Sequence, residues 1–148
     1  MKIFIFLALL FSTQLLFAQH NQSPVQWSFS SEKVDSTSSY IIMAKAQIEP
    51  GWHVFATEPG GDGLLIPTTL TINHENKKIK IGITQEKGKK ITEEMEAVGL
   101  VHYFKDEVIF YVEVFPIDQD IITGLISFQV CNDKMCLPPE DVNFSINL

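Results

Sequence analysis

Hydrophobic and polar residues alternate with period two along several stretches of the chain. In Glu107–Phe115, Val108, Phe110, Val112 and Val114 share one side, with Glu107 and Glu113 on the other. Tyr40–Ile48 groups Ile42, Ala44, Ala46 and Ile48 against Lys45 and Gln47, and Val142–Leu148 groups Val142, Phe144, Ile146 and Leu148 against Asn143, Ser145 and Asn147. Successive strand side chains point to opposite faces, so the pattern predicts antiparallel strands buried on one face. Lys77–Lys90, with Ile79, Ile81 and Ile83, reads as a further strand with a solvated face. Turn signals fall at Glu49-Pro50-Gly51, Pro59–Gly63, Asn73–Lys78, Glu86–Lys90, Asp118–Asp120 and Pro138-Pro139. About eight strands punctuated in this way predict an all-β fold, an antiparallel β-sandwich. The one helical candidate, Thr92–Val98, is too short and too acidic to bury a useful face.

Composition supports strands over helices. From residue 19 onward Ile plus Val number 25, against 11 for Leu plus Ala, and β-branched side chains suit a pleated, half-buried surface. The N-terminus has a different character. Lys2 precedes the apolar run Ile3–Phe11, and the segment ends Leu15-Leu16-Phe17-Ala18 before Gln19. A charged start, a short hydrophobic run and a small residue at the end predict a cleavable secretory signal over residues 1–18. The run is too short to span a bilayer, and no Cys follows it to carry a lipid anchor. Residues 19–148 are then expected to form one exported domain, without membrane insertion, in a compartment where disulfides persist.

The formal charge of the chain is −7 and it contains no Arg. An acidic surface without guanidinium groups argues against nucleic acid as a partner. About 130 residues bury a sizeable core without crosslinks, so Cys131 and Cys136 call for an explanation.

A strand over Leu125–Val130 runs into Cys131, with Ile126, Phe128 and Val130 forming its apolar set. Parity then places Cys131 with Ser127 and Gln129, away from the sandwich core and on a polar face. Asn132-Asp133-Lys134-Met135 forms a turn, and Cys136 begins the return at an edge. Two cysteines flanking such a turn can approach the Cα separation of about 5.5 Å that a disulfide needs. A bridge closing so short a loop contributes roughly 2 kcal/mol of chain entropy, against nearly 5 for a loop of about 100 residues. Redox exchange, a plain structural staple and metal binding with His53 and His102 all stay open at this point. Structural zinc needs four ligands, which makes the metal reading the most demanding. Of the other histidines, His20 falls near the N-terminus and His74 in a turn.

Cys131-(four residues)-Cys136-Leu137-Pro138-Pro139-Glu140, after an Ile-rich β domain and a signal segment, resembles the periplasmic N-terminal domain of the DsbD thiol:disulfide interchange protein. Ile48-Glu49-Pro50-Gly51-Trp52-His53-Val54-Phe55 and Val101-His102-Tyr103-Phe104 fit in order. Gly60-Gly61 followed by Pro67-Thr68 is similar to a pattern in relatives from Bacteroidetes-like bacteria. The resemblance implies an immunoglobulin-like sandwich, with Cys131 and Cys136 as a redox pair that relays electrons to thioredoxin-like periplasmic partners. Cys136 would form the mixed disulfides. It implies no cofactor. Because the sequence stops at Leu148, the reducing equivalents would come from a separate membrane electron donor.

The resemblance also implies a cap loop at Glu94–Val101, which includes Glu96, Val98 and Gly99, and aromatic neighbours at Trp52, His53 and Phe55. The cap carries no aromatic residue, which leaves Tyr103, Phe104 or no side chain as the shield. Asp133, Glu93, Glu94 and Glu96 would oppose thiolate formation and only Lys134 would favour it. A sluggish thiol, activated when a partner docks, is the expectation. The alternative is a non-catalytic immunoglobulin-like binding module of the cell envelope with a structural disulfide.

Overall fold

Two strands with matching apolar alternation bury their faces together only in one register, and Tyr40–Ile48 and Glu107–Phe115 meet in this way. The computed structural model describes residues 23–73, 79–116 and 120–148. Among them lie ten strands: β1 Val25–Val34, β2 Ser39–Ile48, β3 Trp52–Gly60, β4 Thr69–Ile72, β5 Ile79–Ile81, β6 Gln85–Met95, β7 Gly99–Pro116, β8 Ile121–Phe128, β9 Val130–Asn132 and β10 Glu140–Asn147. The larger sheet runs β1-β2-β7-β3-β9, with β5 and β6 also paired to β7, and the smaller runs β10-β8-β4. The fold is an all-β, immunoglobulin-like antiparallel sandwich. Among the described residues no helix is long and apolar enough to cross a membrane.

The main core fills the space between the sheets. Ile42, Ala44, Ala46 and Ile48 of β2, with Val108, Phe110, Val112 and Val114 of β7, meet Leu70, Ile72, Ile122, Ile126, Phe128 and Phe144 of the smaller sheet. Phe29 of β1 stacks on Phe144 of β10 with ring centroids 4.7 Å apart, which clamps the edge of one sheet to the other. Burial alternates along β2 and β8 as the sequence pattern predicts.

β7 serves two neighbours along one edge. Its second half pairs with β2 over Glu107–Val114, and its first half pairs with β3 at Val101–Phe104. Between the two halves Asp106 takes a left-handed φ of 64°, and the facing β6 slips register between Gly88 and Lys90. A bulge of this kind re-aims a strand, and here it gives the first half of β7 a different partner. Glu86 of β6 lies close by, with Thr57 N–H and hydroxyl donating to its Oε1 and Lys90 paired to its Oε2. Burial works against its charge, but the Lys90 and Thr57 hydrogen bonds hold the carboxyl below its ordinary value.

Several sequence expectations change. Glu86–Lys90, expected as a turn, lies inside β6; Thr92–Val98, discounted as a helix from its sequence, is the end of β6 followed by a turn. Pairing with β7 along nearly its whole length overrides the turn-like Lys and Gly composition of β6. The single strand expected over Lys77–Lys90 divides into β5 and β6, with Ile83 between them 86% exposed. The last strand starts at Glu140, two residues before the expected Val142. The proposed signal over 1–18, His20, His74 and most of the turns at Asn73–Lys78 and Asp118–Asp120 lie outside the described residues.

Gly124 of β8 shows how closely the small sheet is packed. A Cβ there would lie 2.3 Å from the Thr71 carbonyl oxygen and 2.5 Å from Phe144 Cζ. The carbonyl belongs to a paired backbone and cannot move aside. Gly124→Ala is therefore expected to destabilise the fold by about 1–3 kcal/mol, the usual cost of overpacking, measured as a lower urea midpoint at an unchanged slope.

Candidate functional site

The site is built by strand parity at one end of the larger sheet. β9 pairs with β3 so that Cys131 lies opposite His53 and Val130 opposite Val54. On β7, Tyr103 lies opposite Phe55 and Phe104 opposite Val54, and β6 adds Ile91 opposite Tyr103 and Glu93 opposite Val101. Val54, Phe104 and Val130 enter the main core. Their chain neighbours turn to the outer face, where Phe55, Val101, Tyr103 and Cys131 form a second buried cluster. Leu65, Ile91, Met95 and Val98 pack against it.

Cys131 and Cys136 are joined by a disulfide with a Cα separation of 4.0 Å. The ladder around them explains the short distance. Asn132 N–H donates to the Met135 carbonyl and Leu137 N–H to the Val130 carbonyl, each at 2.9 Å. Cys131 and Cys136 thus form the non-hydrogen-bonded pair between these two bonds, the position where opposite Cα atoms come closest. This is tighter than the separation of about 5.5 Å expected from average disulfides. Asn132 Oδ1 accepts from the N–H groups of Lys134 and Met135, both at 2.9 Å, and closes the turn. Asp133, Lys134, Met135 and Cys136 are exposed.

Burial of the two cysteines is unequal. Cys131 is 2% exposed, whereas Cys136 is open to solvent. The expectation of a polar face at Cys131 is thus corrected. Parity does direct it away from the main core, but the tip of the β6–β7 hairpin and Leu65 cover that face. Trp52 packs on the main core and not beside the cysteines, because its neighbour His53 takes the outer face. Phe104 likewise belongs to the main core and Tyr103 to the site.

The segment Glu94–Val101 comprises the end of β6, a turn and the start of β7. The turn needs left-handed φ angles at Ala97 (65°) and Gly99 (93°), and it is held by Val98 N–H donating to the Met95 carbonyl at 3.1 Å. Val98 faces the cluster while Glu96 is exposed. A Cβ on Gly61 would lie 3.0 Å from Val98 Cγ1 and 3.1 Å from Leu65 Cδ1, so these two covers meet above Gly61. Sequence reasoning missed Leu65, Ile91 and Met95. Alternation of Ile91, Glu93 and Met95 at every second position is the signal that could have found the last two.

Polar groups are few and specifically placed. Tyr103, 4% exposed, donates its hydroxyl to Glu93 Oε2 at 2.6 Å, and Lys105 Nζ lies 5.5 Å from its ring centroid. The Glu93 hydrogen bond, with burial and the negative charges of Glu93 and Asp133, raises the Tyr103 hydroxyl to about 12. The His53 ring lies 4.6 Å from the Tyr103 ring and 5.5 Å, edge-on, from Phe55. Burial pushes the His53 imidazole below its ordinary 6.5 and the Lys105 charge adds to this, while Asp133 and Glu93 act in the opposite sense. His102 occupies the opposite face of β7, where its Nδ1 pairs with Thr92 Oγ1 at 2.9 Å, so the two histidines do not converge on the cysteines.

A phenol whose folded value lies near 12 against an ordinary 10.0 contributes stability below pH 10 that is lost as pH rises towards 12. Of the three tyrosines in the chain, Tyr103 is expected to give a late phenolate step in an ultraviolet pH titration. Tyr103→Phe should abolish that step and flatten the alkaline loss of stability. A titration in which every tyrosine ionises near 10 in the intact fold would contradict the Glu93 contact.

Several solved structures have related folds. The N-terminal periplasmic domain of ScsB from Proteus mirabilis is similar over 86% of this chain and 48% of that one, with 16% identity and a TM-score of 0.64. This chain thus spans about half the length of that domain. The reduced form of the Neisseria meningitidis DsbD N-terminal domain is similar over 82% of this chain and 84% of that one, with 14% identity and a TM-score of 0.50. A complex between the DsbD and PilB N-terminal domains of Neisseria meningitidis gives 80% coverage of each chain, 13% identity and a TM-score of 0.54. No curated protein matches the chain. Residues 19–147 match the family model for "Thiol:disulfide interchange protein DsbD, N-terminal", and the chain belongs to that family.

Proposed function

We propose that this chain is a thiol:disulfide interchange domain of the periplasm whose Cys131–Cys136 pair passes two electrons to disulfides of thioredoxin-like partners. The observation that carries this reading is the unequal exposure of the two cysteines, with Cys131 at 2% and Cys136 open to solvent. Exchange needs one sulfur that a partner can reach and a second that is held back to close the reaction. In the reduced domain the Cys136 thiolate attacks one sulfur of the partner disulfide and expels the other as a thiolate. The Cys131 thiol then loses its proton and displaces the partner from Cys136, forming the internal disulfide. The partner leaves as a dithiol, and the two electrons lost by the cysteine pair are the two it gains. Reducing equivalents return from a membrane electron donor.

Other features support the same reading. The complex between the DsbD and PilB N-terminal domains shows a relative of this fold meeting another protein. Met135, between the cysteines in sequence, is 55% exposed and offers an apolar contact beside Cys136. Residues 1–18 act as the export signal and 19–148 as a single domain in this reading. Val98, with Leu65, Ile91 and Met95, covers the cluster that holds Cys131, Gly99 supplies a left-handed φ to the turn, and Glu96 lies on its exposed side.

The test is capture by single-cysteine variants. Cys131→Ser leaves Cys136 as a lone exposed thiol and should trap an oxidised thioredoxin-like protein as a mixed disulfide that dithiothreitol releases. Cys136→Ser, whose remaining thiol is buried, should trap about tenfold less or none, following its poorer access. If Cys131→Ser captures no thioredoxin-like protein, the pair is a structural staple and the chain a binding module.

A further inference from the structure

His53 is buried at 6% exposure, and its Nδ1 has no hydrogen-bond partner among the described residues. Buried polar atoms are nearly always paired, so an orphan calls for an explanation. Cys131 lies directly across the β3–β9 ladder, and side chains opposite one another on one face have Cβ atoms about 4.5–5.5 Å apart. In the disulfide the Cys131 sulfur carries no hydrogen. When the pair is reduced it gains an S–H donor on the face that carries the orphan nitrogen.

We propose that His53 is the proton acceptor for Cys131 in the closing step of exchange. The step rests on the interchange reading above. Once Cys136 is joined to the partner, the Cys131 S–H proton passes to His53 Nδ1, giving imidazolium and thiolate. The thiolate attacks Cys136 Sγ, the Cys131–Cys136 bond forms, and the bond between Cys136 and the partner breaks. Its electron pair leaves on the partner sulfur, which takes the proton back from the imidazolium or from water. No further oxidant or reductant is needed.

The surroundings suit this task. A thiolate at Cys131 is penalised by burial, so the group needs a base at the moment it reacts. An imidazole held below its ordinary value is neutral at pH 7 and ready to accept. The charged and titratable groups around it are Lys105 and Tyr103 from β7, Glu93 from β6 and Asp133 from the turn after β9. Burial, aided by Lys105, keeps the resting imidazole neutral, and Asp133 and Glu93 stabilise the imidazolium once it forms. Tyr103, bound to Glu93, stays a neutral phenol.

The experiment uses the reduced chain and one equivalent of dithiobis(nitrobenzoate), a disulfide that releases one coloured thiolate on capture by Cys136 and a second on closure by Cys131. In His53→Phe the capture phase should stay within about twofold, and the closure phase at pH 7 should slow about 10²-fold, the low end of a general-base contribution. His53→Gln, which keeps a polar side chain but no base, should slow closure equally. The unmodified chain supplies a second readout that does not depend on a variant's folding. Because His53 is held below the ordinary imidazole value of about 6.5, the closure rate should already be level at about pH 6.5 and above, instead of climbing about tenfold per pH unit with thiolate concentration. Unchanged closure in a folded variant, or a tenfold climb per unit in the unmodified chain, overturns the role of His53. Absence of any capture phase in the unmodified chain overturns the interchange reading instead.

Discussion

The cysteine site depends on the parity of three short ladders. β9 on β3, β3 on β7 and β7 on β6 are paired so that residues alternate between two apolar clusters on opposite faces of one sheet. Val54, Phe104 and Val130 bind this end of the sheet to the main core. The intervening residues His53, Phe55, Tyr103 and Cys131 have no second sheet to meet, and the β6–β7 hairpin tip covers them. A slip of one residue in β9 would exchange Cys131 with Val130, placing the sulfur in the main core and an aliphatic group under the hairpin. The bulge at Asp106 makes the arrangement possible, because it lets β7 pair with β2 and then with β3 along one edge.

In the proposed reading this geometry separates stability from chemistry. The main core holds the sheets together without the disulfide, and the bridge itself closes too short a loop to contribute more than roughly 2 kcal/mol. The sulfurs instead occupy two environments, one under an apolar cover and one in an exposed turn. The polar groups allowed into the outer cluster have definite positions. Tyr103 spends its hydroxyl on Glu93, whereas His53, opposite the buried sulfur, has a ring nitrogen without a partner among the described residues.

The parts of the fold legible in the sequence are those where alternation and burial coincide. β2, β8 and the second half of β7 show the full period-two pattern because one face of each meets the other sheet. β6 was hidden because its partner is a strand and its faces are largely solvated, so Lys87, Gly88 and Lys89 read as a turn. Cys131 was legible in direction and not in exposure. Ser127 and Gln129 make its face look polar, but the residues that cover it, Leu65, Met95 and Val98, come from segments distant in sequence. Trp52 and His53 show the limit of carrying a neighbourhood over as a block, since adjacent strand residues cannot share a face.

The proposed interchange requires the Cys131–Cys136 bond to be labile, whereas a structural staple resists exchange. Equilibration of the chain with defined ratios of reduced and oxidised glutathione, read by alkylation of the free thiols, measures its reduction potential directly. A value above about −300 mV, within reach of thioredoxin-like partners, is expected. A value well below about −300 mV would mark a bond that resists exchange and would overturn the interchange reading.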